Sequence, residues 1–251
     1  MRRAIAVAAA CAVALGAFAQ ERPIAVDALR SGITFAGADV RAMQADDLAN
    51  PGFLWVQRGQ ALFGENCASC HRDAASMRGV AARYPAYDAS SRSVIDLEAR
   101  IDQCRTDRQH KPAFGRESED LLALATFVTH QSRGMPVSVS VDGPARESFV
   151  RGEAFYRQRH GQMNLACANC HDQNYGKRLY VETISQGHGT AFPAYRLEWQ
   201  TLGSLQRRLR ACLFGIRAQM PNPGAQELTD LELYLAWREN GLPIESPGVR
   251  R

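Results

Sequence analysis

The sequence contains Cys67-Ala68-Ser69-Cys70-His71, and the pattern returns as Cys167-Ala168-Asn169-Cys170-His171. In a Cys-x-x-Cys-His box the two thiols add to the vinyl groups of a haem, and the histidine ligates the iron from one face. A structural zinc site normally takes four ligands from two paired knuckles, and a redox dithiol normally opens a helix after a strand. The sequence therefore predicts two covalently bound haem c groups, one at each box.

The regions that follow the two boxes are copies of each other. Tyr84-Pro85-Ala86-Tyr87 returns as Phe192-Pro193-Ala194-Tyr195. In both copies a cysteine follows the last tyrosine by seventeen residues, at Cys104 and at Cys212. A long internal repeat of this kind indicates a duplicated structural unit.

Each copy reads as a helix, the haem box, an irregular loop, a helix that carries the lone cysteine, and a final helix. Apolar residues at helical spacing predict the final helices over 119–131 and 227–240, and each is followed by glycine and proline stop signals. We therefore predict a mainly α-helical fold with two tandem cytochrome c-like domains, residues 20–143 and 144–251.

Residues 1–19 have the pattern of a cleaved secretory signal peptide, with Arg2 and Arg3 before an apolar run and a small-residue cleavage site. A membrane anchor is the alternative, but the apolar run is short for a bilayer, and no later segment is apolar enough to span one. Loss of the two arginines lowers the net charge from +4 to +2. The mature chain is expected in the periplasm, and its near-neutral charge gives no support for nucleic-acid binding.

The ligand on the second face of each iron is expected to be a cysteine. Among the candidate ligands only Cys104 and Cys212 occupy matching places in both copies, whereas Met220 has no partner in the repeat. Thiolate is a known haem ligand, so we predict histidine and cysteine ligation at both irons. A disulfide between Cys104 and Cys212 is the alternative that an oxidising compartment permits.

The surroundings of the two lone cysteines differ in charge. Arg100 and Arg208 each lie four residues before their cysteine and share its helical face. A contact with a haem propionate is the simple interpretation of an arginine that occurs in both copies. Arg207 and Arg210 have acidic or neutral counterparts, so the neighbourhood of Cys212 is the more cationic one. A cationic setting favours a nucleophilic thiolate and attracts small anions, although Arg207 and Arg210 could equally form a solvated face.

On the basis of these features and of further segments, the chain resembles the SoxA family. Its members are the haem subunits of SoxAX cytochrome complexes in bacterial sulfur oxidation. The similarity covers essentially the whole mature chain and is carried by four further segments besides the haem boxes. These are Gly161-Gln162-Met163-Asn164-Leu165, Ser185-Gln186-Gly187-His188-Gly189-Thr190, Arg208-Leu209-Arg210-Ala211-Cys212 and Leu235-Ala236-Trp237-Arg238-Glu239-Asn240-Gly241-Leu242-Pro243.

The resemblance implies an L-cysteine S-thiosulfotransferase, which joins thiosulfate oxidatively to a cysteine of the carrier protein SoxYZ and passes two electrons to haem. It implies that Cys212 is the active-site cysteine, able to carry a persulfide, and that Arg208 and Arg238 bind substrate. It also implies a monohaem cytochrome partner, SoxX.

Two other functions are consistent with the same residues. A dihaem thiosulfate dehydrogenase would join two thiosulfates into tetrathionate, and it would not depend on a carrier cysteine. A plain electron-transfer cytochrome would tolerate replacement of Cys212 with only a change in potential. A dihaem peroxidase is disfavoured, because it needs an open iron that a cysteine ligand would block.

Overall fold

The structure is a computed structural model that describes residues 22–251, so the predicted signal peptide lies outside the described residues. The α-helices of the described part are α1 (Ala38–Ala45), α2 (Phe53–Asn66), α3 (Ala68–His71), α4 (Leu97–Gln103), α5 (Glu119–His130), α6 (Arg146–Arg157), α7 (Cys167–His171), α8 (Leu205–Gly215) and α9 (Gln226–Arg238). A π-helical turn, Cys104–Arg108, continues α4. The mainly α-helical prediction is confirmed.

Short strands connect the helices. They are β1 (Ala86–Asp88), β2 (Ser93–Ile95), β3 (Arg178–Leu179), β4 (Glu182–Thr183), β5 (Ala194–Arg196), β6 (Thr201–Gly203) and β7 (Gly248–Arg250). The β1–β2 and β3–β4 pairs are antiparallel hairpins, and β5 lies between antiparallel β6 and parallel β7. The hairpins β1–β2 and β5–β6 occupy matching places in the repeat, each directly before the helical segment that leads to the lone cysteine.

In both halves the helix before the haem box crosses the last helix of its half at a glycine. A Cβ on Gly59 of α2 would lie 2.1 Å from the carbonyl oxygen of Ala123 in α5, and a Cβ on Gly152 of α6 would lie 2.0 Å from that of Asp230 in α9. Any side chain at either crossing would collide with backbone. The glycines found at matching places before both boxes therefore set the closest approach of these helices.

The two halves are joined about a local two-fold axis. Pro136 and Pro243, which are equivalent in the repeat, form an antiparallel bridge. The amide of Gly134 donates to Ile244 and the amide of Gly241 donates to Val137, at 2.8 and 2.9 Å. The repeat aligns Gly134 with Gly241 and Val137 with Ile244, so the two hydrogen bonds are equivalent, with donor and acceptor halves interchanged. The halves are therefore related here by an approximate two-fold rotation.

The N-terminal segment packs against the second half of the chain. The side-chain amide of Asn50 donates to the carbonyl of Pro247 at 2.7 Å, and the amide of Val249 donates to Gln44 at 3.0 Å. The side-chain amide of Gln186 donates to the carbonyl of Ala28 at 3.0 Å. The first described residues thus belong to the predicted N-terminal domain in sequence but contact the second half in the structure. The predicted domain boundary between residues 143 and 144 stays a prediction.

Within residues 22–251 no helix has the length and apolar character needed to cross a bilayer.

Candidate active site

The second haem box forms α7 and presents a histidine whose ring is held in place. The Nδ1 of His171 lies 2.8 Å from the carbonyl oxygen of Ser185, which fixes that nitrogen as the donor and leaves Nε2 as a free ligand. Gly187, with φ of 76°, lies against the ring, and a Cβ there would be 2.8 Å from Cγ of His171. The loop after the box thus orients the histidine as an iron ligand requires.

Cys212 of α8 faces this histidine. Burial raises the pKa of the Cys212 thiol, but the charge of Arg208 and a hydrogen bond with His171 outweigh that effect, and the pKa is lowered to about 7. Imidazole nitrogen and thiolate sulfur are both established haem ligands. Cys167 and Cys170 lie with His171 on the short helix α7, so this donor set fits a haem that the two thiols would attach and that His171 and Cys212 would ligate.

The first haem box is more open. Cys67 directly follows α2 and is half-buried, whereas Cys70 and His71 are exposed. Cys104 begins the π-helical turn after α4 and interacts electrostatically with Cys70. Burial raises the pKa of the Cys104 thiol in spite of the opposing charge of Arg100. The two thiols of the first box and Cys104 therefore lie close together within one half of the chain.

Both lone cysteines are free thiols. Each interacts with the haem box of its own half, Cys104 with Cys70 and Cys212 with His171. The two-fold relation between the halves would permit contact of equivalent residues at the axis, but each of these cysteines faces its own box. The arrangement favours ligation over the disulfide alternative.

The arginine upstream of Cys104 has an acidic partner. Arg100 Nη2 lies 2.7 Å from Asp88 Oδ1, and Arg100 Nε donates to the hydroxyl of Tyr84 at 3.1 Å. Asp88 is 7% exposed and also accepts a hydrogen bond from the amide of Ser91. Arg100, for which we predicted a haem propionate contact, therefore has its charge matched inside the protein.

Arg208, one turn before Cys212 in α8, forms neither a salt bridge nor a side-chain hydrogen bond within residues 22–251, although its charge helps to lower the pKa of Glu198. Its neighbours are occupied elsewhere. Arg207 stacks over the ring of Trp199 at 4.3 Å, and Arg210 donates to the carbonyl of Pro221 at 2.9 Å. Of these three arginines of α8, only Arg208 is left with its charge directed at Cys212.

Arg238, the other predicted substrate-binding arginine, ends α9 and is 2% exposed. Its Nη2 lies 2.5 Å from Asp172 Oδ1, its Nη1 donates to the carbonyl of Gln186 at 3.1 Å, and its guanidinium lies 4.6 Å from the ring centroid of Tyr156. These contacts place Arg238 against the residue that follows His171. The structure does not bring it together with Arg208, and its substrate role stays a prediction.

Three residues of the site were not identified from the sequence. Ser185 contacts His171 through its backbone carbonyl, so its residue type does not reveal this role in the sequence. Asp172 pairs with Arg238, which is distant in the sequence and comes close only in the folded chain. Arg196 of β5 lies in the electrostatic environment of Arg208 and Cys212. Its signal was present in the repeat, because Arg196 stands where the first copy has Asp88.

Comparison with known proteins identifies the relatives of this chain. Residues 54–137 match the family model described as SoxA/TsdA, cytochrome c domain. The L-cysteine S-thiosulfotransferase subunit SoxA of Pseudaminobacter salicylatoxidans is 40% identical, over 88% of this chain and 80% of that protein. The chain belongs to the SoxA family. The subunit SoxA of Rhodovulum sulfidophilum is 38% identical, over 89% of this chain and 81% of that protein.

Solved structures give the same result for the fold. The crystal structure of SoxXA from P. pantotrophus superposes with a TM-score of 0.84 at 34% identity, covering 89% of this chain and 87% of that one. The predicted resemblance is therefore confirmed. A cytochrome c domain carries covalently bound haem c, and the first haem box falls inside the matched residues.

Proposed function

We propose that this protein is the haem-bearing subunit of an L-cysteine S-thiosulfotransferase, with Cys212 as the reacting residue. One observation carries the proposal: the thiol of Cys212 faces His171 of a haem box and lies beside Arg208, which forms no salt bridge within the described residues and lowers the pKa of that thiol. A dianion with a soft terminal sulfur, such as thiosulfate, suits a site made of a thiolate and a guanidinium. The names of the relatives support the same activity.

The overall reaction joins the terminal sulfur of thiosulfate to a cysteine sulfur of a carrier protein. A sulfur–sulfur bond forms, the thiol proton is released, and two electrons leave. In the proposed order, the sulfur at Cys212 first bonds the terminal sulfur of thiosulfate with loss of these electrons. The carrier thiolate then attacks that terminal sulfur, and the sulfur at Cys212 departs with its electron pair. The resemblance implies that a persulfide on Cys212 can supply this reacting sulfur.

The residues present would hold two haems. Cys67, Cys70, His71 and Cys104 would hold the first, and the second would be held by Cys167, Cys170, His171 and Cys212. When bound, haem c supplies one-electron acceptance for the two electrons that the reaction releases. Arg208 binds the sulfonate end of thiosulfate, and Ser185 holds the ring of His171.

The partners and location follow from the relatives and from the N-terminal pattern. The similarity to a SoxXA structure supports pairing with a second cytochrome subunit, SoxX. The carrier is proposed to be a SoxYZ pair, and the signal-like residues 1–19 support function in the periplasm. Arg238 is proposed to bind substrate. Through its ion pair with Asp172, it is also proposed to position the segment that follows His171.

A carrier-dependence experiment tests the proposal. The oxidised, haem-loaded chain with its cytochrome partner is mixed with thiosulfate, with and without a carrier protein that ends in a reactive cysteine. Haem reduction is followed by absorbance, and the carrier by intact mass. We expect catalytic haem reduction only with both substrates, and a carrier that gains one thiosulfate-derived group. Tetrathionate formation without carrier would instead identify a thiosulfate dehydrogenase.

A further inference from the structure

The direction of the side chain at the position of Arg196 is known from Asp88, the equivalent residue in the other half of the molecule. In the first half, β1 and β2 pair with Asp88 opposite Ser93, and in the second half β5 and β6 pair with Arg196 opposite Thr201. The two hairpins have the same register, and α4 and α8 begin two residues after them. The backbone positions of Asp88 and Arg100 therefore correspond to those of Arg196 and Arg208.

In the first half, these two positions bring their side chains into direct contact. Asp88 and Arg100 form an ion pair of 2.7 Å, and both partners are mostly shielded from solvent. The backbone of the hairpin and helix therefore directs the side chain at this strand position towards the side chain one turn before the lone cysteine. In the second half the same backbone arrangement directs the guanidinium groups of Arg196 and Arg208 towards one another.

Glu198 is the acidic group whose pKa both Arg196 and Arg208 lower, and a single carboxylate does not balance two guanidinium charges. Arg196 is 6% exposed and donates to Glu198 at 2.8 Å, but Glu198 is itself 55% exposed at its side chain. The Nε of Arg196 is buried and has no hydrogen-bond partner in the described residues. A buried donor without a partner and two adjacent like charges are each costly. Both costs are relieved by an anion that lies between the guanidinium groups.

We infer that Arg196 is a second anion-binding residue of the site and that it holds the sulfonate oxygens of thiosulfate together with Arg208. This inference rests on the proposed function, and it adds a residue that the sequence resemblance did not imply. Arginine suits the role because its planar donors match oxyanion geometry. Two arginines at the sulfonate end leave the terminal sulfur free to face Cys212.

The electrostatics of the site agree with this placement. The pKa of Arg196 is lowered by burial and by the charge of Arg208, whereas Glu198 and Cys212 oppose the shift. Arg196 is also among the groups that lower the pKa of the Cys212 thiol. The three side chains thus share one electrostatic environment, which the thiosulfate dianion would enter.

A purely structural role for Arg196 makes a different prediction. Its guanidinium lies 5.0 Å from the ring centroid of Trp199, so it could serve only to pack that ring. Three variants separate the roles: Arg196→Gln removes the charge, Arg196→Lys keeps it without the planar donors, and Arg196→Asp restores the acidic group of the first half. Asp88→Asn is the matched control, because it changes the charge at the same strand position in the other half.

The experiment measures thiosulfate binding to the oxidised, haem-loaded protein without carrier, through the absorbance and paramagnetic resonance spectra of the haem. Steady-state KM and kcat are measured alongside. We expect Arg196→Gln to weaken binding by about tenfold to a hundredfold, the scale of a hydrogen bond to a charged group. Arg196→Lys retains part of the affinity, Arg196→Asp binds no detectable thiosulfate, and Asp88→Asn binds like the wild type.

The outcomes also separate this inference from the proposed function. If the wild type binds and turns over thiosulfate while Arg196→Gln and Arg196→Asp bind it equally well, Arg196 only packs Trp199 and the inference is overturned. A wild type that neither binds nor turns over thiosulfate overturns the proposed function itself. A variant that loses affinity must retain both haem spectra and its helical circular dichroism. If affinity in the variants falls only in step with loss of these signals, Arg196 is structural and the inference fails.

Discussion

The surroundings of Cys104 and Cys212 differ in charge although their backbones correspond. Beside Cys104, Asp88 neutralises Arg100, and burial raises the pKa of the thiol. Beside Cys212, the same strand position carries Arg196, and the neighbouring cations lower the pKa of the thiol to about 7. A single change of sign on one strand thus accompanies a raised thiol pKa at Cys104 and a lowered thiol pKa at Cys212.

This difference shows where the specialisation of the two halves lies. The hairpins have the same register and both helix crossings use a glycine, so the scaffold is held constant. What varies is which charges the scaffold presents next to the lone cysteine. Under the proposed function, each half would hold a haem, and the second half would also attract an anion beside Cys212.

The largest effect is expected from replacing each lone cysteine by methionine, which keeps a sulfur ligand for the iron. Cys212→Met should lower turnover by more than about 1000-fold, the scale of losing a covalent nucleophile. Cys104→Met should keep most of the turnover, because its surroundings do not attract thiosulfate. Steady-state kinetics measure both effects, and paramagnetic resonance should show one thiolate-ligated low-spin haem lost in each variant. A Cys104→Met variant as inactive as Cys212→Met, with both haems bound, would contradict this division.

A smaller effect is expected at the paired arginines. Arg208→Ala should weaken catalysis by about 2 to 4 kcal/mol in kcat/KM, because a preorganised charge-stabilising group is lost. Arg208→Lys should restore only part, since a point charge does not reproduce paired guanidinium contacts.

Arg100→Ala is the control for the Arg208 variants. It removes the cationic partner of buried Asp88, so it should lower the free energy of unfolding by about 1 to 3 kcal/mol while sparing thiosulfate turnover. Denaturant unfolding and steady-state kinetics separate the two effects. Equal catalytic losses in Arg208→Ala and Arg100→Ala would show that both arginines serve only haem packing.

The smallest effect concerns a third difference between the halves, where Glu98 of α4 corresponds to Gln206 of α8. Burial, and then the charge of Asp96, raise the pKa of Glu98 to about 8 from its ordinary value of 4.5. The folded state therefore keeps a proton that the unfolded state loses, and stability falls as the pH rises from the ordinary value through the raised one. The slope is at most about 1.4 kcal/mol per pH unit.

Glu98→Gln should remove this part of the pH dependence, which denaturant unfolding of the haem-loaded protein at several pH values would measure. Gln206→Glu is the matched reverse change, and it should make the loss of stability with rising pH steeper. Parallel pH profiles for the wild type and Glu98→Gln would mean that Glu98 titrates normally in the folded protein.

Local sequence patterns were sufficient to predict the final helix of each half. The final helices predicted over 119–131 and 227–240 are observed as Glu119–His130 and Gln226–Arg238. They end within two residues of the prediction, because helical spacing and stop signals are local properties of the chain. The spacing of the repeat was likewise sufficient to assign Cys104 and Cys212 to equivalent positions, which the matching hairpins and helices of the two halves bear out.

Features that depend on distant contacts were not predictable. The bridge between Pro136 and Pro243 joins residues far apart in the chain, and neither segment carries a local signal for pairing. Arg238 looks like a free cation in the sequence, but folding buries it against Asp172. Arg196 was within reach of sequence reasoning, because extending the repeat by one residue beyond Tyr87 and Tyr195 aligns it with Asp88.

Peptide mapping by mass spectrometry after turnover tests most directly the claim that charge makes Cys212 the reacting cysteine. The haem-loaded protein is mixed with thiosulfate and an electron acceptor in the absence of carrier, then digested without reductant. We expect added sulfur on the peptide that contains Cys212 and none on the peptide that contains Cys104. Equal labelling of both peptides, or labelling of Cys104 alone, would contradict the account.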